Sequence, residues 1–501
     1  MSDPNHLSAT LFKNADPAAV FAHLEDGGKV TFGAFSSLAD RIAVKLMAAG
    51  VAPGGRVATQ VDKSIEALAL YLGTVRAGGA ILPLNPAYTD AEVSSFVSDA
   101  APTVFVTSPQ REAAHQQLAA QHGVAALFTL EGDGRGTLTD GLEPAAGFVP
   151  VGRRAADLAA ILYTSGTTGR SKGAMLSHAN LSSNAEALVK VWRFTAADRL
   201  IHALPIFHTH GLFVATNVAL MAGASLSFFN RFDADAVVAA MGDATAMMGV
   251  PTFYSRLLNH PGLGAAAPGM RVFISGSAPL LEETHHAFKS VTGHAILERY
   301  GMTETGMITS NTYDGARVAG TVGEPLPDVT IRVVDEAGEE DVAPGEIGTV
   351  WVKGPNVFGG YWGMPEKTEQ EFRGEWFITG DLGRVDENGV LSLVGRAKDL
   401  IISGGFNVYP KEVELLLDAV PGVRESAVIG VPHPDFGEGV VAVVVGDGAR
   451  LAEADVMAAI APHLARFKQP KRVIFAQELP RNAMGKVTKA DLRRSHAGLF
   501  G

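Results

Sequence analysis

The chain has 501 residues, 47% of them hydrophobic, and its 41 basic and 53 acidic side chains give a formal net charge of -12. This length favours two or more domains, and the negative charge argues against non-specific binding of nucleic acid or anionic membranes. The sequence contains no cysteine, which excludes disulfides, thiolate nucleophiles and Cys-ligated metals. It shows no secretory signal and no apolar run near the ~18 residues that span a bilayer, so we expect a cytoplasmic protein.

The N-terminal region alternates between predicted helices and strands. Apolar periodicity predicts helices at 32–49, 64–77 and 112–122. Strands are predicted at 103–107 and, after a turn, within 78–85. Regular alternation of this kind favours mostly parallel sheets that are covered by helices.

A segment rich in hydroxyls and glycines follows the apolar run Leu158–Leu162. It reads Thr164-Ser-Gly-Thr-Thr-Gly-Arg-Ser-Lys172 and leads into apolar residues, which predicts a strand, a tight loop and a second strand. Hydroxyls, backbone N–H groups and Lys172 can donate to a phosphate, and glycines let the main chain approach it closely. The Walker pattern has Gly before its Lys, where this chain has Ser171, so the segment is a different kind of phosphate loop. A polar hairpin loop is the alternative.

Two later stretches place polar or small residues beside apolar ones. In Pro205-Ile-Phe-His208-Thr209-His210-Gly211, polar side chains lie between apolar flanks, so they must be hydrogen-bonded or face a cavity. A pair of satisfied core histidines is the alternative. The turn Gly276-Ser277-Ala278-Pro279 follows a predicted strand, and its small residues would let a flat heterocycle approach the backbone. An ordinary tight turn is the alternative here.

Two further motifs carry acids. The first is Glu298-Arg-Tyr-Gly-Met-Thr-Glu-Thr305, whose Glu304 suits a hard cation on phosphates, with a surface Thr-Glu cap as the alternative. The second, Thr379-Gly-Asp381, ends a predicted strand with an acid that can accept both hydroxyls of a ribose. Alone, Asp381 or the later Arg396 would more often be a turn Asp or a surface Arg.

The pattern changes from Val318 onward. Short alternating strands with Gly, Pro and Asp turns predict an antiparallel or barrel-like subdomain, with strands at 330–334, 348–353 and 390–394. After Gly395-Arg-Ala-Lys-Asp399 the sequence predicts a small α+β unit with helices at 410–417 and 453–464 and strands at 426–431 and 440–445.

Together, these motifs resemble those of the acyl-adenylate-forming superfamily, which includes acyl-CoA synthetases, firefly-type luciferases and the adenylation domains of peptide synthetases. The resemblance implies an α/β fold: a large N-terminal adenylation domain of two α/β subdomains and a β-barrel-like subdomain, with a small mobile α+β C-terminal lid. The implied boundaries are 1–395 for the AMP-binding domain, 396–400 for the hinge and 401–501 for the lid.

The resemblance also implies how ATP and Mg²⁺ are held. Residues of the hydroxyl–glycine segment would bind the ATP phosphates: Thr164, Ser165, Gly166, Thr167, Thr168, Gly169, Arg170, Ser171 and Lys172. A second set would bind the nucleoside and α-phosphate, with Tyr300 stacked on adenine: Ser277, Ala278, Pro279, Glu298, Tyr300, Gly301, Met302, Asp381 and Arg396. Glu304 and Thr164 would hold the Mg²⁺.

The remaining implied roles concern catalysis and coenzyme A. The implied catalytic residues are Lys486, Thr303, Glu304 and His208. Lys398 would be the hinge residue, and Gly404 and Gly405 would leave room for the thiol-bearing arm of CoA, whose phosphates could meet Arg466, Lys468 and Lys471. Acetylation of Lys486 by a protein acetyltransferase is a further implied possibility.

The acid substrate must be chosen by the pocket, for which the implied residues are Arg299, Ser277, His208, Thr209 and Met307. In many relatives a Gly precedes the motif's Tyr, whereas this chain has Arg299. A second carboxylate on the substrate would need such a bidentate partner. An outward-facing salt bridge between Arg299 and Glu298 is the alternative. The motif set resembles that of malonyl-CoA synthetases over nearly the whole chain, which implies ligation of malonate to CoA with ATP.

Other functions stay open at this point. The nearest is a CoA ligase for another short acid, such as methylmalonate, acetate or a short fatty acid. A peptide-synthetase loading module is a second, although no carrier domain follows Lys486 in the sequence. A non-catalytic nucleotide-binding relative is a third, and the joint presence of Glu304, Asp381, Arg396 and Lys486 argues against it.

Overall fold

The structure is a computed structural model that describes residues 4–164, 171–335, 337–338, 340–404, 406–446, 451–482 and 486–500. The α-helices within these ranges are α1 His6–Leu11, α2 Phe32–Ala48, α3 Ile65–Arg76, α4 Asp90–Ala100, α5 Glu112–Gln121, α6 His178–Val191, α7 Thr216–Ala222, α8 Ala234–Ala240, α9 Pro251–Leu258, α10 Leu263–Ala266, α11 Glu282–Thr292, α12 Pro365–Gln370, α13 Pro410–Asp418, α14 Glu453–Ile460 and α15 Lys489–His496. Short 3-10 turns lie at Pro109–Arg111, Ala267–Gly269, Ala397–Asp399 and Ala461–His463, and a π-helix lies at His210–Ala215.

The strands of the same ranges are β1 Val20–Leu24, β2 Lys29–Thr31, β3 Arg56–Gln60, β4 Ala80–Pro83, β5 Val104–Thr107, β6 Ala126–Thr129, β7 Leu158–Thr164, β8 Lys172–Ser177, β9 Arg199–His202, β10 Ser225–Phe228, β11 Ala246–Gly249, β12 Val272–Ser275, β13 Leu297–Met302, β14 Gly306–Ser310, β15 Glu324–Pro325, β16 Thr330–Val334, β17 Gly348–Lys353, β18 Phe372–Arg373, β19 Trp376–Val385, β20 Leu391–Arg396, β21 Ile401–Ser403, β22 Phe406–Val408, β23 Val423–His433, β24 Gly437–Gly446 and β25 Arg472–Ala476.

Helices α2 and α3 show how the sequence sets local structure. Each begins at a hydroxyl cap: Thr31 accepts from the N–H of Ala34, and Ser64 accepts from the N–H of Ala67. Helix α3 is apolar all round and every side of it is buried, as expected of a helix inside a large core. The predictions of both helices are confirmed.

Two large sheets form the α/β body. One has the strand order β6-β5-β3-β4-β7-β8 and the other β15-β14-β13-β12-β11-β9-β10-β1-β2. The pairs between β13 and β1 are parallel, as are those between β6 and β7. The prediction of mostly parallel sheets is confirmed, and ligands of such folds bind at the carboxyl ends of the strands.

The prediction of an antiparallel subdomain is confirmed by a third sheet, which is antiparallel throughout its described pairs. Its order is β16-β17-β19-β18, and β20 also pairs with β19, on the edge opposite β17. The register of β19 and β20 places Asp381 directly opposite Arg396. Two residues that the sequence separates are therefore neighbours at the end of this hairpin.

The C-terminal domain has its own sheet, β22-β21-β24-β23, with β25 parallel to β24. Two apolar clusters fill its core, and each is built only from residues at or after Ile401. The predicted helix 453–464 is wrong at its end, because α14 stops at Ile460 and a 3-10 turn follows. Pro462 explains the early end, since the residue before a proline disfavours α-helical dihedrals.

Among the described residues, none of the helices combines the length and the apolar character needed to cross a membrane. The cytoplasmic location stays a prediction.

Candidate active site

The described part of the phosphate loop is its two flanking strands. Strands β7 and β8 pair antiparallel with Thr164 opposite Lys172, which confirms the two predicted strands, and the Thr164 hydroxyl donates to the Lys172 carbonyl at 3.4 Å. The candidate residues between them lie outside the described residues: Ser165, Gly166, Thr167, Thr168, Gly169 and Arg170. Ser171 follows this gap, directly before β8.

Lys172 is paired within the protein. Its Nζ donates to Glu371 Oε1 at 2.8 Å and to the Tyr361 hydroxyl at 3.1 Å, and it also lies 4.2 Å from the centre of the Tyr361 ring. The side chain is therefore held at the start of β8 by an acid and an aromatic ring.

Thr303, Glu304 and Thr305 form the turn between the antiparallel strands β13 and β14. Glu304 is only 5% exposed, which excludes a surface cap. The Tyr361 hydroxyl donates to its Oε1 at 3.0 Å. Burial raises the pKa of this carboxyl, and no basic side chain of the described residues forms an ion pair with it. Thr303 lies beside it and is partly exposed.

The donor set of this turn fits a Mg²⁺ ion that a nucleotide brings with it. Among the described residues no group of three or more His, Cys, Asp or Glu could hold a metal. A buried carboxylate without an ionic partner needs a cation, and Mg²⁺ at phosphates takes only one or two protein carboxylates. Glu304 meets that requirement, with the Thr164 hydroxyl oxygen on the neighbouring sheet as a second candidate.

Tyr300, Asp381 and Arg396 form one hydrogen-bonded group. The Tyr300 hydroxyl donates to Asp381 Oδ2 at 2.5 Å, and the Arg396 Nε lies 2.6 Å from Asp381 Oδ1. The backbone N–H of Asp381 donates to the Thr379 hydroxyl at 3.0 Å, which fixes the bend after Gly380. Residues predicted for the nucleoside thus lie together although they come from two different sheets.

Arg299 is the most unusual side chain of the site. It is 4% exposed, and its Nε and Nη2 have no hydrogen-bond partner among the described residues. The alternative pairing with Glu298 is wrong: strand alternation points Glu298 the other way, 3.5 Å from His285 Nδ1 on α11. Burial lowers the pKa of Arg299 to about 9, so the guanidinium remains charged at neutral pH. A buried cation without an anion is costly, and such groups mark places where an anionic ligand binds.

The turn after β12 supports this guanidinium. A Cβ built on Gly276 would lie 2.3 Å from the Arg299 Cζ, so the guanidinium packs directly on the glycine main chain. Ser277 follows with a φ of 73°, a left-handed conformation that is uncommon for a side chain other than Gly. Ala278 and Pro279 complete the turn, and Pro279 is exposed.

The histidine motif forms the wall beside Arg299. The His210 Nδ1 lies 3.1 Å from the Ser277 Oγ, whereas His210 Nε2 and Thr209 Oγ1 are buried without a partner among the described atoms. Burial, Lys486 and Arg299 lower the pKa of His208 to about 3, and burial lowers that of His210 well below its ordinary value. Both imidazoles are therefore neutral. The alternative of two fully satisfied core histidines does not hold for His210.

The histidine motif continues into a π-helix, His210–Ala215, and π-helices are rare and often occur at functional sites. Lys63 and His202 lie behind it. The Lys63 Nζ is 3.0 Å from His202 Nδ1, and His202 Nε2 is 3.0 Å from the Gly211 carbonyl. The contact with Gly211 fixes the N–H of His202 on Nε2 and ties the histidine motif to β9, while the contact with Lys63 joins β9 to the segment that follows β3.

Met307 closes the pocket on the β14 side. It is buried opposite Gly301, where an added Cβ would lie 2.8 Å from the Met307 Cε. A small internal cavity lies behind Thr209, lined also by Asn184, Gly306 and Asn356. Met302 is partly buried at the end of β13.

The C-terminal domain places one cation over this cleft. Lys486 lies close enough to Arg396, Asp381, Arg299 and Glu304 to interact with their charges. It is solvent-exposed on its outer side, while burial by the surrounding protein and repulsion from Arg396 lower its pKa. The structure therefore brings the predicted lysine to the predicted phosphate and acyl groups.

The predicted hinge precedes that lysine's domain, and the predicted CoA residues lie within the domain. Lys398 is exposed in the 3-10 turn Ala397–Asp399, and Gly404 has a φ of 60° with Phe436 as its nearest neighbour. Gly405 lies outside the described residues. Lys468 is bonded to both carboxylate oxygens of Glu412 at 2.7 and 2.8 Å, whereas Lys471 lies over the Phe436 ring.

Sequence reasoning missed Tyr361, Glu371, Lys63 and His202. The segment around Tyr361 connects two barrel strands, and no recognised motif or periodic pattern marks its tyrosine or its acid. Lys63 and His202 have partners more than a hundred residues away, so a linear pattern does not reveal them.

Three features define the class of protein: an α/β body with a hydroxyl- and glycine-rich segment after β7, a buried carboxylate in a Thr-Glu turn, and a lysine-bearing C-terminal domain. The AMP-binding enzyme family matches residues 9–362, and the AMP-binding enzyme C-terminal domain matches residues 412–486. The chain belongs to the AMP-binding enzyme family.

Particular relatives narrow this class. MatB from Rhodopseudomonas palustris is 55% identical, each chain covered in full; the TM-score is 0.97 for its ATP-bound structure and 0.85 for its apo structure. A malonate–CoA ligase of Arabidopsis thaliana is 33% identical over 89% of this chain and 79% of its own length. A feruloyl-CoA synthase of an Amycolatopsis species is 35% identical over 93% of this chain and 94% of its own length. The arrangement described here is thus more similar to the ATP-bound form of MatB than to its apo form.

Proposed function

We propose that the chain is an ATP-dependent malonate–CoA ligase, an AMP-forming acid–thiol ligase that converts malonate, ATP and CoA into malonyl-CoA, AMP and pyrophosphate through a malonyl-adenylate. The observation that carries the choice of acid is the buried guanidinium of Arg299, whose donor atoms Nε and Nη2 have no hydrogen-bond partner among the described residues.

A dicarboxylate explains this guanidinium best. Leaving a charge unpaired in a closed site costs several kcal/mol, so an acid that brings a second anion gains binding free energy that a monoacid does not. Arginine holds a carboxylate with two parallel hydrogen bonds, and the His208 and His210 imidazoles beside it are neutral and cannot take its place as cations. Thr209, Ser277 and Met307 leave room for a short acid only.

Overall identity does not choose the acid. The malonate–CoA ligase and the feruloyl-CoA synthase are about equally identical to this chain, although their names give very different acids. The pocket must therefore make the distinction, and MatB is 55% identical to this chain over its full length.

In the first half-reaction, an oxygen of the free malonate carboxylate forms a bond to the α-phosphorus of ATP. The bond from that phosphorus to the bridging oxygen breaks, and pyrophosphate leaves with the bond's electron pair. Lys486 and Thr303 stabilise the charge that grows on the α-phosphate, while Lys172 and the loop from Thr164 to Ser171 hold the outgoing phosphates. His208 orients the attacking carboxylate as a neutral imidazole.

Mg²⁺, when bound to ATP, neutralises phosphate charge, and Glu304 and Thr164 are the residues that would hold it. The nucleoside binds between Tyr300 and the turn Ser277–Ala278–Pro279, with Gly301, Met302 and Glu298 around the adenine edge. Asp381 and Arg396 bind the ribose and α-phosphate.

In the second half-reaction, the CoA sulfur forms the thioester bond to the acyl carbon. AMP leaves as the acyl carbon–oxygen bond breaks, and the thiol proton passes to solvent. Because the chain has no cysteine, the sulfur must come from CoA. Gly404 and Gly405 line the path of the thiol arm, and Arg466, Lys468 and Lys471 lie near its phosphates once Lys468 exchanges Glu412 for them.

Both half-reactions use one cleft, so the lid must turn between them. We place the adenylation domain at 1–395, the hinge around Lys398 at 396–400 and the lid at 401–501. Two observations support these bounds: the two apolar clusters of the C-terminal domain contain no residue before Ile401, and a non-helical turn holds Lys398.

Acetylation of Lys486 by a protein acetyltransferase belongs to the same proposal. The side chain is exposed, and its lowered pKa increases the share of neutral amine that an acyl group can reach. Acetylation would remove the charge and stop adenylation.

An acid panel in an AMP-release assay with CoA tests the function. Malonate should give the highest kcat/KM, far above acetate, propionate and butyrate. Higher activity with methylmalonate would shift the assignment to a branched diacid. A monoacid that equals malonate would overturn the assignment.

A further inference from the structure

Four side chains at the phosphate end of the cleft form one connected group, which we call the tyrosine bridge: Lys172, Glu304, Tyr361 and Glu371. The Tyr361 hydroxyl lies 2.5 Å from Glu371 Oε2 and 3.0 Å from Glu304 Oε1. Glu371 uses its other oxygen, Oε1, for the Lys172 ammonium at 2.8 Å. One phenol therefore joins the loop lysine to the buried carboxylate of the Thr-Glu turn.

The main chain holds Tyr361 between those two elements. The N–H of Trp362 donates to the carbonyl of Gly173, the residue after Lys172, at 2.7 Å. The backbone of Tyr361 forms an isolated antiparallel β-bridge with Ala174 of β8. On the other side, the N–H of Phe358 donates to the Glu304 carbonyl at 2.8 Å. The segment is thus attached both to the phosphate-loop strand and to the Thr-Glu turn.

Glu371 is placed as firmly as Tyr361. It follows directly after α12, and the N–H of Ile378 donates to its carbonyl at 2.8 Å. Burial opposes its ionisation, but hydrogen bonds from Lys172, Tyr361 and Lys367 outweigh burial and lower its pKa. Glu371 is therefore an ionised partner that Lys172 already has without a nucleotide.

The ion pairs leave Glu304 without a cation of its own. Lys172 and Lys367 both pair with Glu371, and the single phenol proton lies between two acids, so Glu304 forms no ion pair among the described residues. Tyr361 is 2% exposed, which keeps water from taking the place of its hydroxyl. The tyrosine bridge thus holds Glu304 in a fixed orientation without pairing its carboxylate with a cation.

We propose that Tyr361 and Glu371 are positioning residues of the nucleotide site: Glu371 orients Lys172 toward the ATP phosphates, and Tyr361 orients Glu304 toward the Mg²⁺ that ATP carries. The inference rests on the proposed function, because it assigns a purpose to groups that would hold ATP. It adds two residues that act through Lys172 and Glu304 without touching substrate.

The test compares Tyr361→Phe and Glu371→Gln with the wild-type enzyme. Tyr361→Phe keeps the ring, which packs on Phe358, and removes only the hydroxyl. Tyr71→Phe is the matched control, because it removes a buried phenol that donates to Asn217 elsewhere in the core. The readouts are malonate-dependent ATP–pyrophosphate exchange as a function of Mg²⁺ and, separately, Mg²⁺-dependent binding of ATP without any acid.

We expect Tyr361→Phe to raise the half-saturating Mg²⁺ concentration about tenfold and Glu371→Gln to raise the KM for ATP, while the KM for malonate changes less than about twofold in both. Tyr71→Phe should leave all three constants unchanged even where it lowers the melting temperature. An unaltered Mg²⁺ dependence in Tyr361→Phe, an unaltered KM for ATP in Glu371→Gln, or equal rises in the ATP and malonate constants would overturn the inference.

Two further results are decisive. If Tyr361→Phe does not fold, Glu371→Gln carries the test alone through its ATP constant. If the wild-type enzyme shows no exchange with malonate, the proposed function fails, and the ATP-binding measurement still decides whether the tyrosine bridge sets the Mg²⁺ dependence.

Discussion

The two ends of the cleft differ in how their cations are paired. At the phosphate end, Lys172 already has Glu371 and Tyr361 as partners. At the acyl end, Arg299 is buried with two N–H groups that have no partner among the described residues. A paired cation is positioned before any ligand arrives, whereas a buried unpaired cation favours a ligand that brings an anion. The difference teaches that specificity resides where the protein leaves a charge unsatisfied.

Removing the lid lysine should have the largest effect and should not depend on the acid. Lys486→Ala is expected to lower malonate-dependent pyrophosphate exchange about 10²- to 10³-fold, because the charge on the attacked phosphate loses its stabilising cation. Thioester formation from supplied malonyl-adenylate and CoA should be much less affected. Arg494→Ala, which removes an exposed cation from the same domain, is the control, and near-normal exchange in Lys486→Ala would remove its assigned role.

A substitution beside Arg299 should act at the acyl end alone. In Gly276→Ala the new Cβ would lie 2.3 Å from the Arg299 Cζ, so the guanidinium must move away from its position. We expect the KM for malonate to rise about tenfold, equivalent to about 1.4 kcal/mol, with the KM for ATP within about twofold. Steady-state kinetics with each substrate varied in turn measures both. Gly269→Ala, where an added Cβ meets nothing, is the control, and equal changes in both constants would mean that the turn acts on the nucleotide.

The smallest expected effect is on the pH dependence of activity. It tests whether Arg299 or a neighbouring histidine binds the second carboxylate. The pKa of His208 is lowered to about 3, so its proton is already lost well below neutrality and the imidazole stays neutral as the pH rises from about 6 to about 8, around the ordinary histidine pKa. The pH profile of kcat/KM for malonate should therefore have the same shape in the wild type and in His208→Gln. The ionisation of malonate itself affects both profiles equally. A limb near pH 6.5 that only the wild type shows would mean that a protonated histidine binds the second carboxylate.

The sequence predicted those parts of the fold and site that depend on local patterns. Apolar periodicity predicts helices α2 and α3 within a residue of their ends, and the Thr-Glu motif identifies Glu304 as a candidate cation ligand, which the structure places in a buried turn. The end of α14 was missed because Pro462 stops the helix although apolar residues continue beyond it. The strand β23 runs further than predicted at both ends, since pairing with β24 continues where the apolar alternation has ended.

What the sequence could not predict depends on contacts between distant segments. Arg299 was recognised as a departure in a motif, but whether it faced Glu298 or the pocket depended on which side of β13 it occupies. Tyr361 and Lys172 are 189 residues apart, and only the pairing of the 359–362 segment with β8 brings them together. The roles of individual residues stay predictions, including those of the loop residues 165–170, which lie outside the described residues.

The most direct test of the central claim asks whether Arg299 binds the second carboxylate of malonate. The measurement is the ratio of kcat/KM for malonate to kcat/KM for isovalerate, in which two methyl groups replace the oxygens of that carboxylate, in the wild type and in Arg299→Met. A site built to pair a polar group rejects the analogue that lacks it by large factors, so we predict a wild-type ratio of at least about 10³. In Arg299→Met the ratio should fall toward or below one, with the KM for ATP unchanged. A ratio that survives the substitution would contradict the account.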